Sequence, residues 1–380
     1  MKVFLIAGEP SGDRLAAALM AGLRDLCSDI EFIGVAGPLM QAQGMDSLFD
    51  MSELSVMGLA EVLPKYRHLK RRITQTADAV VAAQPHVLIT VDSPDFSLRV
   101  ARLVKDQSDI RTVHYVAPTV WAWRPGRAAK MAKMIDHVLA LFPFEPPYME
   151  AEGMACDFVG HPIVAERAVT DAEVAQLRAE HNIDGPTLVV LPGSRKGEVS
   201  RMMDVFAETL RDDRFEGHTL LFPTLPHLVP ILQPYLDRLA QKYVLIDGQG
   251  LTANDAAHLR QTALTAANFA LAASGTISLE LARAQTPMVI AYDMNWLSRQ
   301  IIGRMLTTDT VTLVNLVSDT RTVPEFIGAN CQPDLIADGL MQLMADPSSQ
   351  RDASELTMQR LGLGQEAPGL RAARAVLKRL

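Results

Sequence analysis

Thr187-Leu-Val-Val-Leu191-Pro192-Gly193-Ser194-Arg195-Lys196-Gly197-Glu198 decides the fold. Four apolar residues behind a β-branched one make a strand of ordinary length, and the Pro-Gly pair ends it. The charged residues that follow open a helix, so the segment reads as strand, turn and helix start. Its position gives it weight. It falls near the middle of 380 residues and restarts a pattern already present in the first half. There, short apolar runs at Lys2–Ala7, Glu31–Val35, Val87–Val91, 112–116, 138–142 and 157–159 alternate with longer helix-like segments. Beyond it, further strands are expected at 219–222, Tyr243–Ile246, Phe269–Ala272 and 287–292. Such alternation marks a parallel sheet wrapped by helices. The fold class is therefore α/β, and the length is too great for one core. Two Rossmann-like lobes are expected, 1–165 and 166–365, hinged near 162–186, with a last helix at 366–380 able to pack back on the first lobe. A helix is also expected at 171–181. Two such lobes place a cleft between the carboxyl ends of their sheets, where a substrate can be enclosed.

Composition narrows the function. The chain is 48% hydrophobic, which fills two cores, and its formal charge of −8 argues against a general nucleic-acid binder. Cys27, Cys156 and Cys331 stand far apart with no CxxC, which fits a reducing cytoplasm. The apolar run at the start is too short for a signal peptide. The longest uncharged stretch, 262–279, carries Thr, Asn, Ser and Gly throughout, so it reads as a buried strand and loop instead of a membrane span. No HExxH, no His/Cys cluster of zinc spacing and no Asp-x-Asp pair occurs, so no metal or cofactor is expected. The absence of a G-x-S-x-G elbow leaves a hydrolase triad unsupported.

Chemistry is concentrated where strands turn into helices. After the first strand, Gly8-Glu9-Pro10-Ser11-Gly12-Asp13 offers a tight turn and helix-start amides to an anion, while Ser11 or Asp13 equally reads as a helix cap. It is not GxGxxG, which weighs against a dinucleotide. Asp92-Ser-Pro-Asp95 follows the strand Val87–Val91, and a carboxylate there is placed to take a proton from an attacking hydroxyl, or simply to cap the turn. His114 to Arg124 holds Trp121 and Arg124 beside prolines, surfaces suited to sugar, acyl chain or phosphate, or a packed corner of the core. Gly193, Ser194 and Arg195 make a diphosphate cradle, with Arg195 able to neutralise a departing nucleoside diphosphate. Ser274, Gly275 and Thr276 form a second cradle, and Glu280, a turn into the next helix, can accept from ribose hydroxyls. Finally, 54–72 mixes apolar residues (Val56, Met57, Leu63 and Leu69 among them) with basic ones ending in Lys70, Arg71 and Arg72. It reads either as a face for an anionic membrane or acyl chains, or as an amphipathic helix with a solvated basic side.

In this order the motifs resemble the lipid-A-disaccharide synthases. The matching runs are GEPSGD, GVAGPLMQAQG, LSVMGLAEVLP, VDSPDF, HYVAPTVWAWR, PFE, FVGHP, LPGSRKGE, ASGTISLE, PMVIAY and VTLVNLVSD–VPEF, across about 6–327. The stretch 211–261 departs from the pattern, and the last fifty residues match weakly. The resemblance implies a metal-independent glycosyltransferase of the GT-B fold that inverts at the anomeric carbon. It implies UDP-2,3-diacylglucosamine as donor and 2,3-diacylglucosamine 1-phosphate as acceptor, giving a β-1,6-linked disaccharide 1-phosphate and UDP. The family's functional aspartate matches Asp92, its arginine Arg195, its nucleotide-contacting asparagine Asn315, and its ribose-contacting glutamate Glu280. Ser11, Gly12, Asp13, Asp95, Trp121 and Arg124 remain candidates for the acceptor side. A peripheral place on the cytoplasmic face of the inner membrane follows from acylated substrates. The rival readings are another two-lobed UDP-sugar enzyme (a 2-epimerase or glycan transferase), a non-catalytic nucleotide-sugar-binding module and, less well supported, a dinucleotide oxidoreductase.

Overall fold

Strands that are apolar along their whole length need cover on both faces, and both halves of the chain provide it with helices. The computed structural model describes residues 1–54, 59–121, 126–294 and 308–380, with the backbone alone at 59–65. Strands β1 (Lys2–Ala7), β2 (Glu31–Val35), β3 (Val87–Val91), β4 (Arg111–Tyr115), β5 (His137–Ala140) and β6 (Ala155–Phe158) form one sheet in the order β2-β1-β3-β4-β5-β6. Strands β7 (Thr187–Leu191), β8 (Thr219–Pro223), β9 (Tyr243–Ile246), β10 (Phe269–Ala272), β11 (Met288–Tyr292) and β12 (Glu325–Ile327) form the second, ordered β12-β11-β10-β7-β8-β9. Every pairing in both sheets is parallel. All five residues of β3 and all five of β7 are buried, which is why they read as unbroken apolar runs.

The two sheets belong to separate compact units, Met1–Ala165 with Leu361–Leu380, and Glu166–Arg360. In the second, Met203 and Phe206 from helix Lys196–Thr209 pack with Leu188, Val190, Phe222 and Leu340. Helix Asp171–Glu180 begins in a capping box, with Thr170 accepting from the Glu173 amide and Glu173 accepting in return. In the first unit, helix Pro10–Leu26 is crossed by the terminal helix Pro368–Lys378. The crossing is close because it uses two glycines. A Cβ on Gly22 would lie 2.7 Å from the Gly369 carbonyl oxygen, and one on Gly369 would lie 2.5 Å from that of Ala18. Farther along, Arg379 donates to Asp157 at 2.6 Å, and Arg371 donates to the Phe158 carbonyl at 3.1 Å. The terminal helix is thus fastened to β6.

Several strand ends differ from the apolar runs for local reasons. β4 stops at Tyr115 because Val116 takes a left-handed φ of 87°. β5 stops at Ala140 because the Leu141 and Phe142 amides donate to the Glu145 carboxylate, both at 3.0 Å.

Each sheet reverses its winding once. From β1 the chain moves outward to β2, then returns to β3 on the other side; from β7 it runs to β8 and β9, then returns to β10. The adjacent carboxyl ends at such a reversal leave a crevice between diverging connections. The turns after β1 and β3, and those after β7 and β10, therefore occupy the two positions best placed to hold a ligand.

Candidate functional site

The crevice of the second sheet opens into a pocket of about 390 Å³ lined by the turns after β7 and β10. Gly193 has φ +124°, and a Cβ there would fall 2.3 Å from the Glu198 carboxylate. That carboxylate accepts the Ser194 amide at 3.0 Å and so fixes the turn. Arg195 is the N-cap residue of helix Lys196–Thr209, with its side chain unused in capping. Across the pocket, Ser274, Gly275 and Thr276 lead into helix Ile277–Arg283, where Ser278 Oγ donates to the Gly275 carbonyl at 3.1 Å. Glu280 pairs with Arg260 at 3.2 Å, and both line the pocket. Arg195 and Arg260, two sets of turn amides and small hydroxyls therefore surround one space. Such a lining suits a diphosphate, with the Glu280 carboxylate left to orient a hydroxyl-bearing neighbour.

In the first unit a pocket of about 470 Å³ lies beside that sheet's crevice, between the connections that follow β3 and β4. Asp92, Asp95, His114 and Val116 line it. Asp92 and Ser93 both have left-handed φ, 50° and 45°, and Val116 joins them at 87°. Non-glycine residues held this way cost about 1–3 kcal/mol each, more where the side chain is β-branched, and persist when their surroundings over-determine them. Here the determinants are visible. The Asp92 amide donates to the Tyr115 carbonyl at 3.0 Å, Ser97 Oγ donates to the Asp92 carbonyl at 2.8 Å, and the Val116 amide donates to Leu139 at 3.0 Å. Burial raises the Asp92 carboxyl above the usual aspartate range, against a lowering hydrogen bond from the Ser93 amide. Glu9, after β1, is raised too, by burial first and by the Asp92 charge second. His114 is 2% exposed, and burial holds its pKa at about 4, so the ring is neutral near pH 7. Its Nδ1 lies 2.7 Å from Thr90 Oγ1. The pocket thus carries a carboxylate of raised basicity held by a strained backbone.

The remaining candidates are distributed as follows. The Asp13 carboxylate is 2% exposed and accepts the Leu39 and Met40 amides at 2.8 and 3.0 Å, capping helix Pro38–Ala42. Ser11 is exposed at the start of helix Pro10–Leu26, and Gly12 is buried against β3. The N-cap of that helix is Glu9, without a side-chain bond. Trp121 meets Phe144 edge-on at 5.2 Å, and Phe144 stacks on Phe142 at 5.3 Å. Asn315 is 1% exposed; its amide donates to Thr310 Oγ1 and the Val323 carbonyl and accepts the Val323 amide, and it does not line the 390 Å³ pocket. Arg72 forms a two-pronged pair with Glu53 at 2.8 and 2.6 Å and lies 4.4 Å from the centre of the Phe49 ring. Leu69 is half-buried, and Lys70 and Arg71 are exposed. Val56, Met57 and Arg124 lie outside the described residues, as does the side chain of Leu63. Among the described residues no three His, Cys, Asp or Glu side chains gather to hold a metal, and no helix is long and apolar enough to cross a membrane.

Arg260, Glu198 and Glu9 were not singled out as site residues by sequence. Arg260 pairs across two helices, and no local pattern signals it. Glu198 did carry a signal, since it stands in the first turn of the helix that follows a glycine turn.

Comparison with known proteins places this geometry. Among solved structures, a UDP-GlcNAc 2-epimerase from Neisseria meningitidis bound to UDP-GlcNAc superposes with a TM-score of 0.65 at 13% identity, covering 100% of this chain and 99% of that one. MurG from Acinetobacter baumannii gives 0.57 at 11% identity, with 100% and 99% covered. At those identities the likeness establishes the GT-B fold and nothing finer. Sequence relatives are much nearer. The lipid-A-disaccharide synthase of Ruegeria pomeroyi is 60% identical over 388 aligned positions, covering 100% of this chain and 96% of the relative. That of Rhodospirillum centenum is 42% identical over 384, with 99% and 94% covered. The family profile described as Lipid-A-disaccharide synthetase matches residues 3–377. With the match running through both sheets and both switch-point turns, the chain belongs to the lipid-A-disaccharide synthase family.

Proposed function

We propose that the chain transfers 2,3-diacylglucosamine from its UDP derivative to the 6-hydroxyl of 2,3-diacylglucosamine 1-phosphate, releasing UDP and a β-1,6-linked disaccharide 1-phosphate. The observation that carries this reading is the contrast between the two switch points. One presents a half-buried carboxylate of raised basicity, and the other presents cations and turn amides.

Asp92 accepts the proton of the 6-hydroxyl as its oxygen attacks the donor's anomeric carbon. The bond from that carbon to the β-phosphate oxygen breaks on the opposite face, its electron pair leaves with UDP, and the configuration inverts. A base of this kind contributes ~10²–10⁴-fold. Arg195, with the helix start behind it, meets the charge that gathers on the departing diphosphate, a contribution that needs no metal. Glu280, steadied by Arg260, orients the ribose. Asn315 acts on the nucleotide side by pinning residues 310–323 through its amide. Asp95, Trp121, Ser11, Gly12, Asp13 and Arg124 are assigned to the acceptor side on their sequence motifs. The enzyme works at the cytoplasmic face of the inner membrane, where exposed Lys70 and Arg71 draw it to anionic headgroups and Val56, Met57, Leu63 and Leu69 meet acyl chains.

The test is UDP release by purified protein from both acylated substrates in detergent with EDTA. Turnover that requires both lipids supports the transfer. UDP formation or sugar isomerisation without acceptor would instead indicate an epimerase-like enzyme.

A further inference from the structure

We propose that Arg99, Arg102 and Lys130, with Arg127 beside them, form the seat for the anomeric phosphate of the acceptor, a sugar phosphomonoester. The inference rests on the transferase reading and deepens it, since it sets which end of the acceptor faces Asp92.

All four cations line the same 470 Å³ pocket as Asp92 and Asp95. They come from two elements. Arg99 and Arg102 lie on helix Pro94–Lys105, and Arg127 and Lys130 lie on helix Gly126–Met131. In each pair the spacing is three residues, which keeps both side chains on one helix face. Among the described residues, Arg99, Arg102 and Lys130 are held in no ion pair or side-chain hydrogen bond. In a chain of net charge −8, four cations gathered at one pocket mark a place that receives negative charge.

The helix also gives the pocket a direction. Asp95, Arg99 and Arg102 follow at spacings of four and three, so they run along one face. At a rise of about 1.5 Å per residue, Arg99 stands ~6 Å and Arg102 ~10 Å beyond Asp95 along the axis. A phosphate is repelled by the carboxylates at one end and attracted by the cations at the other. In a hexosamine 1-phosphate, the anomeric carbon and the carbon bearing the hydroxymethyl group flank the ring oxygen, so a single ring bridges those two ends. Phosphate held by the cations therefore turns the 6-hydroxyl towards Asp92. The monoester carries nearly two negative charges at neutral pH, and guanidinium groups bind it in paired hydrogen bonds.

The test uses the full chain carrying Arg99→Ala with Lys130→Ala, both exposed positions. Steady-state kinetics are run with the 1-phosphate acceptor and with its analogue bearing a free anomeric hydroxyl. Binding of glucosamine 1-phosphate is followed by calorimetry. KM for the phosphorylated acceptor should rise on the order of tenfold or more, with donor KM unchanged. Turnover of the hydroxyl analogue should be the same in variant and wild type, and glucosamine 1-phosphate binding should weaken in parallel. Equal losses with both acceptors, or no loss with either, would overturn the proposal. So would loss of binding to phosphatidylglycerol vesicles with acceptor discrimination intact, because the cations would then face lipid headgroups. Should the wild type release no UDP at all, the transferase reading fails. Even then, glucosamine 1-phosphate binding that the substitutions weaken supports the seat, and binding they leave unchanged removes it.

Discussion

Glu145 should contribute stability to the first unit that is lost as pH rises from 5 to 8, and Glu145→Gln should remove that contribution. The side chain is 3% exposed, and burial pushes its pKa from 4.5 to about 8, against lowering hydrogen bonds from Phe142 and Leu141. Between those two values the folded chain holds a proton that the unfolded chain has released, so raising the pH favours unfolding. At about 1.4 kcal/mol per pH unit, the displacement from 4.5 to about 8 sets a ceiling of about 5 kcal/mol. Relaxation and water entry around an ionised carboxylate bring the expected loss down to roughly 2–3 kcal/mol. Burial holds His137 and His161 at about 4, below the ordinary imidazole value of 6.5, so between those values they add stability as pH rises. They do so in wild type and variant alike, and the comparison of the two isolates Glu145. Burial pushes the Cys156 thiol up to about 12, outside the window. Glutamine keeps a carbonyl oxygen for the Leu141 and Phe142 amides and cannot ionise. Hydrogen exchange of the segment 137–158 is the appropriate assay, because a two-unit chain need not unfold in one step. At pH 8 the variant should be protected roughly 30-fold or more above wild type, and at pH 5 the two should coincide. Parallel behaviour across the whole range would refute the reasoning.

Asp92→Asn should lower turnover ~10²–10⁴-fold while UDP affinity stays at the wild-type value, as measured by UDP release and calorimetry. In the wild type the acid limb of the rate profile should lie above the ordinary aspartate range, because burial raises that carboxyl and only its ionised form accepts a proton. Gly369→Ala puts a methyl 2.5 Å from the Ala18 carbonyl and should cost about 1–3 kcal/mol, seen as early melting of the first unit. Lys70→Glu with Arg71→Glu should weaken binding to anionic vesicles with folding intact. Arg72 is omitted from that pair because its bond to Glu53 would be lost as well.

The sheets were legible because parallel strands buried on both faces cannot disguise themselves as anything but apolar runs, and β7 is the clearest case. β12 was not legible: it has three half-buried residues, Glu325 among them, at the edge of its sheet. The turns were legible for a similar reason, since Gly193 and Gly275 occupy positive φ, where other residues are strained. Partners distant in sequence were hidden. Asp13 announces a capping residue, yet nothing local tells that its carboxylate serves amides 26 and 27 positions on. Arg99 and Arg102 look like the solvated face of any amphipathic helix until β4 and helix Gly126–Met131 close the pocket around them.

The same topological device appears twice with opposite electrical character, and one residue after each strand sets the sign. After β3 that residue is Asp92, ahead of helix Pro94–Lys105, whose start favours an ionised carboxylate. Burial pushes the other way and prevails, so the group is more basic than a solvated aspartate. The cations of that pocket are exposed, and Arg99 and Arg102 stand more than a helical turn along from Asp92, so solvent weakens their hold on it. After β7 the helix start is reinforced by Arg195, and the nearby carboxylates are occupied, Glu198 by the Ser194 amide and Glu280 by Arg260. Moving a cation next to Asp92 would favour the ionised carboxylate and lower its basicity. Freeing Glu198 or Glu280 would set a negative charge against the diphosphate. On the proposed transfer, base and leaving-group stabiliser therefore need separate crevices, and a fold with two switch points supplies one for each.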